Sequence, residues 1–280
     1  MDRGLILQLA MYFILVNIIG LYVGYHLIQE FDGTTPPIIN DNPEDPLNSF
    51  GLLLYMMIGT AFILLAIKFL PDKILYWVLK GMETLALIVT SLIVLQVFVI
   101  IELALILAVG LVCIRIFAPQ YLIWRNISSI IATIGVGSLL GASIGVWPVI
   151  VFLIALAVYD YIAVFKTKHM VKMAKAVAKK NLSFTFALPT AKHQFELGTG
   201  DLVMPLVFGV SILNDTLTRG LPWPNAVVPS VIVLLASFIG LAFTLDYGSK
   251  NVGKALPALP LQVGLMIIVY GLVRASGLFG

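Results

Sequence analysis

The chain has 280 residues, 60% of them hydrophobic and only 11% charged, with a mean hydropathy of +1.05. Soluble domains carry roughly 25% charged and about 45–50% apolar residues. A soluble globular enzyme is therefore excluded, and so is intrinsic disorder, which needs low hydrophobicity and high charge. The net charge of +3 says little by its size; the positions of the charges say far more.

For such a chain the useful unit is the span of about 20 apolar residues. Apolar runs fall at about 5–28, 50–70, 74–101, 103–118, 126–145, 147–165, 201–213, 226–245 and 259–277. The first lacks a basic start and a small-residue cleavage site, and reads as a retained helix. The weakest division is between runs three and four, because residues 81–114 hold only Glu83 and Glu102 as charges and no proline. Charge parity decides it. With nine spans, 15 of the 17 Lys and Arg residues lie on one side, and only Arg219 and Arg274 on the other. Cytoplasmic loops carry the excess of Lys and Arg, which places the N-terminus in the cytoplasm and the C-terminus outside. The loop 29–49 agrees, with Glu30, Asp32, Asp41, Glu44 and Asp45 and no Lys or Arg.

The expected fold class is thus an all-α polytopic membrane protein of nine transmembrane helices. Residues 1–145 supply helices 1–5 as a scaffold, and 146–280 supply helices 6–9. Residues 166–200 are expected to form a cytoplasmic basic loop between helices 6 and 7. Within that loop Lys168, Lys172, Lys175 and Lys179 form one stripe at helical spacing, as a short helix on an anionic leaflet would. Gly137, Gly141 and Gly145 recur every fourth residue, a spacing that lets membrane helices approach closely. Cys113 is the single cysteine, so no intrachain disulfide forms, and the three histidines are too scattered for a metal site.

An ionisable side chain inside the bilayer costs at least about 2.5–3.5 kcal/mol, so each needs a reason. Glu83, Glu102, Asp215 and Asp246 lie near span ends and are expected to reach interfacial water. Asp160 lies inside run six, and Asp201 opens run seven within Gly198-Thr199-Gly200-Asp201. Asp160 precedes Lys166 by six residues, about 9 Å of helix, and Asp201 follows Lys192. A third feature, Leu256-Pro257-Ala258-Leu259-Pro260, follows Lys254 and opens run nine. All three meet the basic face, at similar depth.

Two carboxylates close together in a low-dielectric site share one proton and titrate as a unit. One acts as general base on water while its partner hydrogen-bonds the scissile carbonyl. Gly198 and Gly200 leave room beside Asp201 for a substrate backbone. Pro257 and Pro260 resist regular helix, with Pro260 disfavouring it at Leu259. Irregular backbone of this kind, lining a cavity, offers groups to an extended substrate strand.

These residues resemble the presenilin and signal peptide peptidase family of intramembrane aspartyl proteases, well over about 150–275 and by hydropathy alone before that. Val158-Tyr159-Asp160 resembles the family's Tyr-Asp motif. Leu197-Gly198-Thr199-Gly200-Asp201 resembles its Gly-x-Gly-Asp motif, and Lys254 to Pro260 the presenilin form of its Pro-Ala-Leu motif. The resemblance implies that Asp160 and Asp201 are the catalytic pair. It implies that Tyr159, Gly198, Thr199, Gly200, Pro257, Ala258 and Leu259 shape the site or bind substrate. Peptide bonds within single-span membrane protein substrates would be cut, with no metal or organic cofactor and no nucleic acid. Signal peptide peptidases run in the opposite orientation, so the charges favour the presenilin branch, whereas Asp201-Leu202-Val203-Met204-Pro205 reads more like the peptidase branch. Only 40 residues separate the aspartates, too few for the long loop that animal presenilins cut during maturation. The compact size resembles an archaeal presenilin homologue in an archaeal cell membrane, working without accessory subunits, alone or as a homo-oligomer. The rival reading is a proton- or cation-coupled transporter, which also uses buried aspartates and broken helices; no internal repeat supports it.

Overall fold

The computed structural model describes residues 3–31, 40, 42–118, 121–163, 185–189, 194–250 and 257–277. Nine helices run through the described residues: α1 (Arg3–Phe31), α2 (Leu47–Phe69), α3 (Asp72–Leu95), α4 (Ile101–Phe117), α5 (Leu122–Ser143), α6 (Val146–Ile162), α7 (Gly200–Thr218), α8 (Trp223–Lys250) and α9 (Leu259–Ala275). Six of them, α1, α2, α3, α5, α7 and α8, are long and apolar enough to cross a membrane, while α6 and α9 are shorter apolar helices. At 17 residues each, α6 and α9 rise about 25 Å, short of the hydrocarbon core. Large apolar side chains such as Leu7, Ile100 and Phe117, each more than 70% exposed, give the bundle the outer face that lipid requires.

The division between runs three and four is real. Helix α3 stops at Leu95, the N–H groups of Phe98 and Val99 both turn back to the Leu95 carbonyl, and Ile100 is extended. Val97, Phe98, Val99 and Ile100 are β-branched or aromatic, the types that lose most side-chain freedom in a helix. No glycine or proline is needed to break the run.

Helix α5 is the centre of the bundle and touches α1, α3, α4 and α7. The glycine spacing explains how. A Cβ at Gly137 would lie 2.6 Å from Leu206 Cδ2, and one at Gly141 2.6 Å from Val210 Cβ. On the opposite side, Gly20 and Gly24 of α1 meet the same Leu206 and Val210. Two glycine seams therefore clasp one pair of α7 side chains four residues apart, and hold α7 by close approach rather than by large side chains. Gly145 does something else: it precedes α6, and its N–H donates to the Pro43 carbonyl at 2.9 Å.

One expectation about charge is overturned. Glu83 does not reach interfacial water; it is buried between Lys80 Nζ at 2.8 Å and Arg115 at 3.0 Å, tying α3 to α4. A carboxylate at this depth is tolerated because two cations and their hydrogen bonds replace its water. Asp215 and Asp246 pair with Arg219 and Lys250, one turn on, and Glu102 is exposed.

The segment expected to be a basic loop contains a hairpin. Strands β1 (Thr185–Pro189) and β2 (Gln194–Gly198) pair antiparallel, with Ala187 opposite Glu196 and Thr185 opposite Gly198. Two five-residue strands alone are marginal, and tertiary contacts hold this pair. Asn126 donates to the Ala187 carbonyl and accepts from its N–H, so one amide side chain pairs with β1 as a further strand would. Gln8 donates to the Pro189 carbonyl, Arg125 pairs with Glu196, and Phe186 is buried against Tyr12. The lysine stripe at 168–179 lies outside the described residues.

Candidate active site

The end of α6, the start of α7 and the start of α9 come to the same end of the bundle. Asp160 sits in the last turn of α6 and is buried. A carboxylate there faces the negative end of the helix dipole, which is unfavourable. The offset comes from α9. Leu259 is its first residue, and its backbone N–H, a first-turn donor with no acceptor inside the helix, hydrogen-bonds the Asp160 carboxylate. Asp201 lies in the first turn of α7, at the favourable end of that helix. Its charge and that of Asp160 act on one another across the site.

The remaining candidates surround this pair. Strand β2 ends at Gly198, where a Cβ would stand 3.6 Å from Asp201 Oδ2. Thr199 caps α7 with its backbone, its carbonyl accepting from Leu202 and Val203 at 3.0 and 2.9 Å. A Cβ on Gly200 would meet nothing within 4 Å, so packing inside the protein does not demand glycine there. Thr199 and Gly200 instead border a cavity of about 240 Å³ between α3, α5 and α7. Tyr159 is half-buried on α6 beside Asp160. Pro257 precedes α9, Ala258 caps it, and Ala258 packs against the main core. Leu259 is helical, contrary to the irregular backbone expected at that residue. Pro260 falls in the first turn, where its missing N–H leaves no bond unmade. Leu256 and Lys254 lie outside the described residues.

Beside the pair, a groove of about 800 Å³ opens between α6, α8 and α9. Tyr161, Phe243, Tyr247, Pro257 and Leu261 line it, with Asp246 and Lys250 at its edge. One further residue adjoins the site without having been singled out by sequence: Gln262 of α9 donates from Nε2 to the Asp201 main-chain carbonyl at 3.0 Å. Its sequence signals are indirect: a lone glutamine in an apolar run, and Pro205 four residues after Asp201. Among the described residues, no three His, Cys, Asp or Glu side chains gather as metal ligands. The arrangement sets two carboxylates at one end of the bundle, one of them beside a main-chain donor, the groups that acid–base chemistry on water needs.

Comparison with known proteins places the chain in a family and gives its fold relatives. The sequence profile of a family described as signal-peptide peptidase, presenilin aspartyl protease, matches residues 11–196. The matched stretch includes Asp160 and stops short of Asp201. A solved structure of a presenilin family intramembrane aspartate protease, in space group C222, superposes with a TM-score of 0.71 at 21% identity, over 97% of this chain and 99% of that one. A structure of a protein of the same description, in space group P2, gives a TM-score of 0.65 at 21% identity, over 98% of each chain. No curated protein matches the chain. With a profile covering most of its length, the chain belongs to the signal-peptide peptidase and presenilin aspartyl protease family.

Proposed function

We propose that this protein is an intramembrane aspartyl endopeptidase whose catalytic pair is Asp160 and Asp201. What supports the assignment is the position of the two aspartates at one end of the bundle, Asp160 in the last turn of α6 and Asp201 in the first turn of α7, with the start of α9 against both. One carboxylate takes a proton from water as that water attacks the scissile carbonyl. The other, protonated, donates a hydrogen bond to the carbonyl oxygen and then hands its proton to the leaving amine. The Leu259 donor keeps Asp160 oriented through both steps. Gly198 and Gly200 leave space for the substrate backbone, and the groove lined by Tyr161, Phe243 and Tyr247 offers an apolar path from lipid to the pair.

The substrates are membrane protein segments, single-span ones in the first place, which must unwind locally because a helix hides its carbonyls in internal hydrogen bonds. The outer edge of β2, which leads directly into the Asp201 turn, suits an unwound strand. The distribution of Lys and Arg supports a cytoplasmic N-terminus and water entry from that side. We further propose that it acts in an archaeal cell membrane without accessory subunits.

The test is purified protein with a single-span substrate in detergent, with and without a hydroxyl-bearing transition-state mimic. New termini inside the span, lost with the mimic, support the protease. Proton flux into sealed vesicles that depends on Asp160 and Asp201, without cleavage of several substrates, would support the transporter instead.

A further inference from the structure

In an α-helix the carbonyl of residue i accepts the N–H of residue i+4. For Asp201 that residue is Pro205, which sits inside α7 and has no N–H. Its ring also crowds the carbonyl four residues back. The main chain of Asp201 is thus denied its helical partner, in surroundings where an unmet acceptor is costly.

Gln262 meets that need. It is fully buried, and its Nε2 donates to the Asp201 carbonyl at 3.0 Å and to Ser237 Oγ of α8 at 2.8 Å. A main-chain carbonyl can only accept, so the amide must turn its NH₂ toward Asp201. Gly240 makes the approach possible, because a Cβ there would lie 3.0 Å from Gln262 Cα. Three residues earlier on the same helix, the Leu259 N–H holds the Asp160 carboxylate. The opening turns of α9 therefore grip both aspartates, one by its side chain and the other by its backbone.

We propose that Gln262 is a positioning residue, standing in for the missing Pro205 N–H and fixing the first turn of α7 so that Asp201 faces Asp160. The proposal rests on the assignment of Asp201 to the catalytic pair. It makes a specific demand: an N–H restored from within α7 should make Gln262 dispensable.

The experiment compares the parent, Gln262→Leu, Pro205→Ala and the double variant for cleavage of one substrate, with Asp201→Asn alongside. In the Pro205 background, Gln262→Leu should lower kcat roughly ten- to a hundredfold with little change in KM. In the Pro205→Ala background, the same change should alter kcat by less than about twofold, because the alanine N–H now serves the carbonyl. A Gln262 that only ties α8 to α9 through Ser237 would lose as much in both backgrounds, and that result overturns the proposal. So does parental activity in Gln262→Leu, or a double variant that does not fold. If Gln262→Leu alone does not fold, the comparison of Pro205→Ala with the double variant still decides. Activity in Asp201→Asn would instead strike the assignment of Asp201 itself, and the proposal with it.

Discussion

The seam between α5 and α7 gives the sharpest test of how the bundle sets the site. At Gly141 a Cβ would lie 2.6 Å from Val210 Cβ and 2.7 Å from the Val207 carbonyl oxygen. Ordinary contacts to carbon begin near 3.5 Å, so the overlap is close to 1 Å. Val210 has no slack, because Gly24 of α1 presses on it from the other side. Val207 O is backbone, so relief requires moving α7 as a body. Val207 lies six residues from Asp201, about 9 Å along the same helix. Gly141→Ala should therefore cost about 1–3 kcal/mol as overpacking, lowering the apparent Tm in detergent by on the order of 2–10 °C. A 1 Å displacement at the pair would cut kcat by up to about a hundredfold. Gly110→Ala is the control, since a Cβ there meets nothing within 4 Å, and it should leave Tm unchanged or slightly higher through helix propensity. The two are compared by thermal unfolding and by cleavage rate. If Gly141→Ala matches Gly110→Ala in both, α7 is not held by the glycine seam and the reasoning fails.

Other perturbations follow from the same contacts. Glu83→Gln removes the buried carboxylate charge that Lys80 and Arg115 share and should cost about 3–5 kcal/mol, read as a fall in apparent Tm. Equal stability would mean that water reaches this cluster. Asn126→Leu removes the amide that both donates to and accepts from Ala187. It should release the hairpin by about 1–3 kcal/mol, seen as faster hydrogen exchange over 185–198. Unchanged exchange there would show that packing of Phe186 alone holds the strands.

Much of the helical frame is legible in the sequence because lipid imposes one simple demand, long apolar runs with charges at their ends. The parity of Lys and Arg correctly split 81–114, even though no glycine or proline marks residues 96–100. The glycine spacing correctly foretold close packing at Gly137 and Gly141, while Gly145 proved to serve the α5–α6 turn. The hairpin was not legible, because its two short strands lean on Asn126, Gln8, Arg125 and Tyr12, which lie far away in sequence. Glu83 was misjudged for the same reason: Lys80 is visible three residues before it, but Arg115 reaches it from another helix. The Asp160 and Asp201 motifs stand out as charges in apolar runs. Gln262 does not, although Pro205 four residues after Asp201 already implies an orphaned carbonyl that something must satisfy.

The central claim is that Asp160 and Asp201 together hydrolyse a peptide bond inside a membrane span. The most direct measurement is mass spectrometry of a single-span substrate incubated in H₂¹⁸O with the parent, Asp160→Asn and Asp201→Asn, each shown to keep its fold. The account predicts one ¹⁸O in the new carboxyl terminus with the parent, at a bond within the span, and no product with either variant. Cleavage at the parental rate by either folded variant would contradict it.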